Sequence, residues 1–493
     1  MVATRPRAAC LIAAIILVTD ARPAPAQAPS FAAAERDRLT TYARDTWRSF
    51  DVLIMPSGLP ADGAKRLGSS WEMAGFTSPT DVAAYLWSTL AAEDLHLIGP
   101  EESKARLDAT LKAIDGLERS HGFFFNWYDP RTGQRLKAWP AGGGAVRPFL
   151  STVDNGWLAA ALMMVANARP EHKLAAEAAL APMDFAFFYD KFDPADPARH
   201  PGLLHGGYWA DADSYAGFHY GTLNTEPRIA SYVGIARGQI PKDHYYRMTR
   251  AAGPGPVQVL GGVPVSQGTV SYRAFNLVPS WDGTMFEALM VPLFVPEAAW
   301  APQSWGLNHP LYARAQIEHG LSDAGHGYWG RSASADPAGG YRAFGVPPLG
   351  AGSRTRGAVG GSDAAVTPHA SFLALAFAPA ESMANLAKLA ETFPGAYGPY
   401  GFQDAVDVKS GQVSDQILVL DQGMILAALA NALADGSMHR AFSDGPIADA
   451  IRPLIAPEQF ASGMIAPAPV AVAALPAMPS GALEATSAKV KPE

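Results

Sequence analysis

Apolar residues recur at i, i+3, i+4 and i+7 over 31–53, 79–97, 102–120, 152–168, 171–189, 226–237, 284–294, 312–320, 370–377, 380–393 and 416–433. That is the spacing of helices that bury one face, so the chain is expected to be mostly helical. Ser78-Pro79-Thr80-Asp81 reads as a helix start, with Ser78 as cap and Pro79 at a first-turn position that needs no N–H. The connections at 123–149, 190–221 and 327–366 are long and rich in Gly, Pro and aromatic residues. Loops of that length inside a compact domain usually build a site, and here they are expected to wall a cleft. Helical periodicity resumes after the one candidate boundary, 252–268, which favours a single all-α domain of paired helices over 30–455, an (α/α) toroid. The Ala/Pro/Ser-rich segment 456–493 is expected to remain a disordered tail, because it offers too little apolar surface to order itself.

The amino terminus changes this picture only at its edge. Arg5 and Arg7 precede an apolar run over 8–18 and the small-x-small triplet Ala24-Pro25-Ala26, the pattern of a cleaved secretory signal over 1–26. The apolar run is shorter than the roughly 20 residues a membrane span needs, so the expectation is a periplasmic or secreted protein with no membrane partner after cleavage. Cys10, the one cysteine, lies in that segment, which excludes disulfides, thiolate metal sites and a cysteine nucleophile from the mature chain. The hydrophobic share of 48% in 493 residues is ample for a large core. A net charge of -8, from 46 acidic against 38 basic residues, gives no reason to expect nucleic acid or an anionic membrane as partner.

Carboxylates sit repeatedly beside aromatic residues, as in Asn126-Trp127-Tyr128-Asp129, Ser151-Thr152-Val153-Asp154-Asn155-Gly156-Trp157 and Ser280-Trp281-Asp282-Gly283-Thr284-Met285-Phe286-Glu287. Aromatic rings stack on pyranose faces and carboxyl groups supply acid and base, so a polysaccharide or oligosaccharide is the expected partner. Asp154 and Glu226 both open predicted helices, where a carboxylate also serves as a cap or dipole partner. In a helical toroid the starts of inner helices converge on one end, which would bring the two into one cleft. Neither a His-Glu-x-x-His motif nor a calcium loop is present, and His205, His219, His244, His309, His326 and His369 are scattered; no metal and no other cofactor is expected. The Gly-rich stretches 141–144 and 357–361 lack the strand and the Lys-Ser/Thr helix of a phosphate loop, and no Gly-x-Ser-x-Gly elbow appears in a strand–turn–helix setting.

Several strings in order resemble the bacterial glycoamylase-like family, which includes endo-β-1,2-glucanases and the transglycosylase region of cyclic β-1,2-glucan synthases. They are Thr77-Ser78-Pro79-Thr80-Asp81-Val82, Phe124-Phe125-Asn126-Trp127-Tyr128-Asp129, Ser151-Thr152-Val153-Asp154-Asn155-Gly156-Trp157, Glu226-Pro227-Arg228-Ile229, Ser280-Trp281-Asp282-Gly283-Thr284, Gly340-Tyr341-Arg342-Ala343-Phe344-Gly345 and Leu420-Asp421-Gln422-Gly423. The resemblance implies an (α/α)6 toroid with a glucan cleft and acidic residues at Asp154 and Glu226. Relatives usually read Asn at the position of Asp81 and vary at Asn155-Gly156, where linkage specificity is therefore open. The expectation is an exported glycoside hydrolase acting on a β-1,2-linked β-glucan, with Glu226 as general acid and Asp154 as base or nucleophile. Asp81, Asn126, Trp127, Tyr128, Asp129, Trp281, Glu287, Trp329, Tyr400, Asp404 and Asp421 are the expected substrate contacts. The alternatives are a transglycosylase or hydrolase on another exopolysaccharide, a lyase using Tyr220 and His219 on a uronate polymer, and a non-catalytic glycan-binding scaffold.

Overall fold

The computed structural model describes residues 31–351 and 362–465. The expected signal, the glycine-rich 357–361 and the tail beyond 465 lie outside the described residues. Helices dominate: α1 Ala33–Leu53, α2 Pro79–Asp94, α3 Pro100–Asp115, α4 Thr152–Ala168, α5 Lys173–Leu180, α6 Arg228–Ala236, α7 Asp243–Arg247, α8 Met285–Leu289, α9 Glu297–Trp300, α10 Trp305–Glu318, α11 Pro368–Leu373, α12 Pro379–Thr392, α13 Val419–Leu433, α14 Ser437–Ser443 and α15 Pro446–Ile455. Among the described residues no helix is long and apolar enough to cross a membrane.

The helices fall into two kinds, and sequence explains the division. α2, α4 and α13 are buried on nearly every side and read as continuous small and apolar residues, such as Leu158-Ala159-Ala160-Ala161-Leu162. α1, α3 and α12 bury a single stripe, with charged residues outward, the signature of an outer helix. Packing follows: α2 lies between α4 and α13, α4 also packs on α6, and α13 also packs on α11, which reaches α8. Around this inner set, α1 covers α13, α5 covers α4, α15 covers α6, α12 covers α11 and α10 covers α8. One contiguous hydrophobic core runs through both layers.

Gly156 shows how tightly the inner helices approach. A Cβ there would stand 2.7 Å from the Cβ of Ala230 and 3.1 Å from its backbone N, so only glycine lets α4 and α6 come this close.

The structure departs from the periodicity in three ways. Several helices are shorter than their apolar pattern: 171–189 resolves into α5 and a separate 3-10 turn, Phe185–Phe188, and α6 begins at Arg228, leaving Glu226 just ahead of it. The long connections are not plain loops, because they pair as short antiparallel ladders. Phe149–Ser151 joins Gly207–Trp209 and Ser214–Tyr215, Gly63–Leu67 joins Ser70–Met73 and Gln416–Leu418, and 252–268 holds the hairpin Val257–Leu260 with Val263–Ser266. Two to five residues per strand leave too few alternations to register as a pattern. Finally, order continues through the first part of the expected tail. Glu458 is buried against Arg250, with Arg250 Nε donating to its Oε1 at 2.6 Å, Phe460 packs edge-on against Trp305, and Gly463–Met464 pairs with Phe275 and Asn276.

Candidate active site

Four inner helices carry a carboxylate at the same place, the third residue from the start: Asp81 on α2, Asp154 on α4, Glu287 on α8 and Asp421 on α13. In three of them a Ser or Thr cap accepts a hydrogen bond from the backbone N–H of that residue: Ser78 from Asp81, Ser151 from Asp154 and Thr284 from Glu287. The helix dipole favours negative charge there, so capping chemistry and a converging acidic cluster come from one sequence device. Only Asp81 closes the reciprocal half of the box, accepting from Ser78 N at 2.7 Å.

Glu226 sits at the centre of one half of this cluster. Trp157 Nε1 donates to its Oε2 at 2.6 Å, and its own backbone N–H donates to Glu287 Oε2 at 3.0 Å. Thr225 Oγ1 donates to the same Glu287 oxygen. Burial, reinforced by the Glu287 charge, raises the Glu226 carboxyl well above its ordinary range. Glu287 is pushed up to about 7 by burial and by Asp282. Burial also raises Asp154, against the opposing effect of hydrogen bonds from Ser151 and Thr80, whose Oγ1 donates to Asp154 Oδ1 at 2.7 Å. The strand residue Tyr220 lies among Asp154, Glu226 and Glu287, and its hydroxyl is raised well above the usual value by burial and by those charges.

The position of Glu226 is fixed from behind by a fully buried ion pair. Arg228 Nε and Nη2 donate to the two oxygens of Glu297 at 2.7 and 2.9 Å, and Nη1 donates to the carbonyls of Leu223 and Thr225 at 3.1 and 2.9 Å. Arg228 therefore clamps the segment that delivers Thr225 and Glu226 to the cleft. Tyr232 and His309 complete the shell of Glu297.

The other half gathers Asp62, Asp81, Asp404 and Asp421. Asp62 is pushed up to about 7 by burial, then by Asp421, while burial and Asp62 raise Asp81. Burial and Asp421 raise Asp404, which accepts from Leu418 N at 3.1 Å and keeps Oδ2 buried without a partner. Asp421 differs in its partners: Ser334 Oγ donates to Oδ2 at 2.7 Å, and His369 Nδ1 lies 3.1 Å from the same oxygen. Tyr341 links the two halves. It is 60% exposed, yet protein mass surrounds it and, with Asp421, Glu226, Asp62 and Asp282 about it, raises its hydroxyl well above the usual value. An exposed side chain with such neighbours shows that the acidic cluster opens to the surface.

Aromatic side chains rim the cleft. Phe76, whose carbonyl accepts from Asp62 N at 2.9 Å, packs edge-on against Trp127 and Trp139. Trp71 meets Tyr400 edge-on at 5.3 Å on the neighbouring hairpin. Trp281 is 47% exposed beside Asp282.

Several expected substrate contacts are corrected by this geometry. Tyr128 is a core residue: its hydroxyl donates to Glu118 O at 2.6 Å and accepts from Phe125 N at 2.7 Å. Trp329 is 2% exposed, with its backbone held by Asn385. Asp129 holds a turn, accepting from Arg131 N at 2.7 Å, and Asp81 accepts from Ser78 N through Oδ2 while it stays in the acidic cluster beside Asp62. The Asn126 amide oxygen is buried without a partner rather than presented to solvent. Asn155, Gly156 and Trp157 are interior as well, and Asn155 ties α4 to the Phe124 backbone through 2.9 Å bonds in both directions. Asp62, Asp282, Tyr341, His369 and Trp71 join the site without having been predicted for it. Asp282 stands in one of the strings that set carboxylates beside aromatic residues, and Tyr341 inside a family-like string; Asp62 lies outside any helix or strand, where no periodicity points to it.

A mostly helical fold with an acidic, aromatic-rimmed cleft at helix starts defines the class, and comparison with known proteins agrees. Residues 264–446 match the glycoamylase family model (putative glucoamylase), and residues 41–186 match a model of a protein of unknown function, DUF3131. Over 264–446 the chain is therefore similar to the glycoamylase family. It is 27% identical to the cyclic β-(1,2)-glucan synthase NdvB of Rhizobium meliloti over 85% of its own length, and spans 18% of that relative. Among solved structures, the endo-β-1,2-glucanase of Chitinophaga pinensis in complex with sophorotriose and glucose superposes with a TM-score of 0.62 at 16% identity, covering 87% of this chain and 99% of that one. The β-1,2-glucanase of Parabacteroides distasonis gives 0.63 at 14% identity, over 87% and 61%. The endo-β-1,2-glucanase of Talaromyces funiculosus with sophorose gives 0.59 at 13% identity, over 87% and 93%. These likenesses show a shared fold.

Proposed function

We propose that the protein is an exported glycoside hydrolase that cleaves a β-1,2-linked glucan, with 30–455 forming one catalytic domain. The observation that carries this reading is the convergence of at least six carboxyl groups, several with their proton affinity raised by burial and mutual repulsion, beside exposed aromatic side chains. Inner helices α2, α4, α6, α8, α11 and α13, each with an outer partner, support the closed (α/α)6 ring. The synthase relative and the glucanase neighbours favour β-1,2-glucan as substrate over other exopolysaccharides.

In this mechanism Glu226 is the general acid. Burial and the neighbouring Glu287 raise its affinity for the proton it must donate, and Trp157 fixes the carboxyl through Oε2. Asp154 takes the base or nucleophile role, aided by the two hydroxyl-bearing residues that favour its ionised form. Asp421 is the second candidate for that role, because Ser334 donates to it directly and His369 Nδ1 lies 3.1 Å from the same oxygen. Glu287, Asp404, Trp127, Trp281 and Tyr400 hold the sugar, together with Asp62 and Tyr341. A lyase acting through Tyr220 is disfavoured, since a uronate polymer would meet carboxylates where it needs positive charge.

The test is release of reducing ends by the purified protein from linear glucans of defined linkage. Release from β-1,2-glucan is expected. Binding without release would favour the glycan-binding scaffold, and release from another linkage would overturn the substrate assignment.

A further inference from the structure

A second cluster lies outside the residues assigned to glycan cleavage. Strands Leu204–His205 and His219–Tyr220 pair antiparallel with His205 opposite His219. Asp190, just upstream in the chain, turns its carboxylate toward them, with Oδ2 at 2.9 Å from His219 Nε2. One ligand atom from each of Asp190, His205 and His219 lies within 4.8 Å of the other two. We propose that these three residues bind a divalent transition metal ion of the Zn²⁺ type, which staples the 190–220 segment to the start of α4.

The donor set is the first argument. Two imidazoles and one carboxylate suit borderline ions such as Zn²⁺ and leave a further position for water. Zinc–ligand bonds of about 2.0–2.1 Å put adjacent ligands about 3 Å apart, the separation already present between Asp190 and His219. Outer support is also in place. Asp190 Oδ1 lies 2.8 Å from His200 Nδ1, and a hydrogen bond of this kind is how proteins orient a ligating carboxylate. The second argument is an orphan: His205 Nδ1 is buried and has no hydrogen-bond partner. A buried polar atom left unpaired is costly, and recruiting this imidazole to a metal compensates that cost. The rings of His205 and His219 stack at 4.3 Å with 29° between their planes. Coordination therefore requires one ring to turn about its Cβ–Cγ bond, a soft torsion.

The location gives the ion a structural role. Thr152, the first residue of α4, donates to His205 O at 2.7 Å, and Tyr220 follows His219 directly into the cleft. A metal here would hold together the two segments that present Asp154 and Tyr220. The scattered histidines gave no motif because 14 residues separate the pair, and only strand pairing sets them face to face.

The experiment uses the full chain, stripped with chelator and dialysed. Calorimetric titration with ZnCl₂ is expected to show one equivalent bound with micromolar or tighter affinity, and Co²⁺ in its place should give the visible d–d bands of a low-coordinate nitrogen/oxygen site. His205→Gln and His219→Gln, which keep polarity and approximate volume, should each weaken binding by about tenfold or more, as loss of a ligand does. Zn²⁺ should raise the melting temperature of the native chain and leave both variants unmoved. His326→Gln, a histidine elsewhere, should bind as the native chain does. Absence of stoichiometric binding, or equal binding by all variants, would overturn the proposal; a folded variant is verified by its metal-free melting transition.

Discussion

Replacing Glu297 by Gln removes the charge opposite Arg228 while keeping its shape, and the consequence can be worked from the geometry. Both side chains are fully buried. Arg228 holds the Glu297 carboxyl down from its ordinary 4.5 to about 2, with His309 assisting against the opposing effect of burial. At about 1.4 kcal/mol for each pH unit, the depressed value is worth about 3 kcal/mol of stability. The sign is that of a depressed carboxylate: the stabilisation is complete above about pH 4.5 and is lost as pH falls toward 2. At pH 7 the variant leaves Arg228 buried without a counter-charge, and breaking such pairs costs about 3–5 kcal/mol. Urea unfolding of both proteins at pH 7 and pH 3 is the assay. Glu297→Gln should be less stable by about 3–5 kcal/mol at pH 7, with a smaller difference at pH 3. Adding Arg228→Met should recover much of the loss, because the uncompensated charge disappears. A pH 7 difference below about 1 kcal/mol, the level of an exposed pair, would mean that Arg228 does not depend on Glu297 for its charge balance.

Other consequences are as specific. Glu287→Gln should be more stable than the native chain at pH 8 and lose that advantage near pH 4.5, because a carboxyl raised to about 7 stabilises the fold below its unfolded value and ceases to as pH rises through 7; thermal melts at both pH values decide it. Trp281→Ala should raise KM about three- to tenfold with little change in kcat, the mark of lost stacking that is uniform through the reaction, read from initial rates on β-1,2-glucan. Gly283→Ala should destabilise by about 2 kcal/mol or more, since φ there is +86° and the new Cβ would stand 2.2 Å from Val346 O; a chemical denaturation midpoint measures it.

Much of the inner scaffold was legible because it is built from long periodic helices with cap residues at their starts. The Ser-x-x-Asp spacing at Ser78 and Asp81, repeated at Ser151 and Asp154, signalled both the helix start and the carboxylate that the start delivers. Glu226 was legible as a helix opener, although it stands just ahead of α6 in the Arg228 clamp. What stayed hidden depends on contacts far apart in the chain. Asp62 becomes part of the site through Asp421, and Tyr341 through a two-strand ladder with Ala335, too short to show alternation. Tyr128 and Trp329 were misplaced for a related reason, since an aromatic residue reads alike whether it faces sugar or core, and only their buried hydrogen bonds decide.

Delivery by Glu226 of the proton that cleaves the glucan is read from turnover of linear β-1,2-glucan by the native chain and by Glu226→Gln, each checked for an unchanged melting transition. Reducing-end release by the native chain and a loss of about 10²–10⁴-fold in kcat in the variant are expected. A folded variant that turns over at the native rate would contradict it.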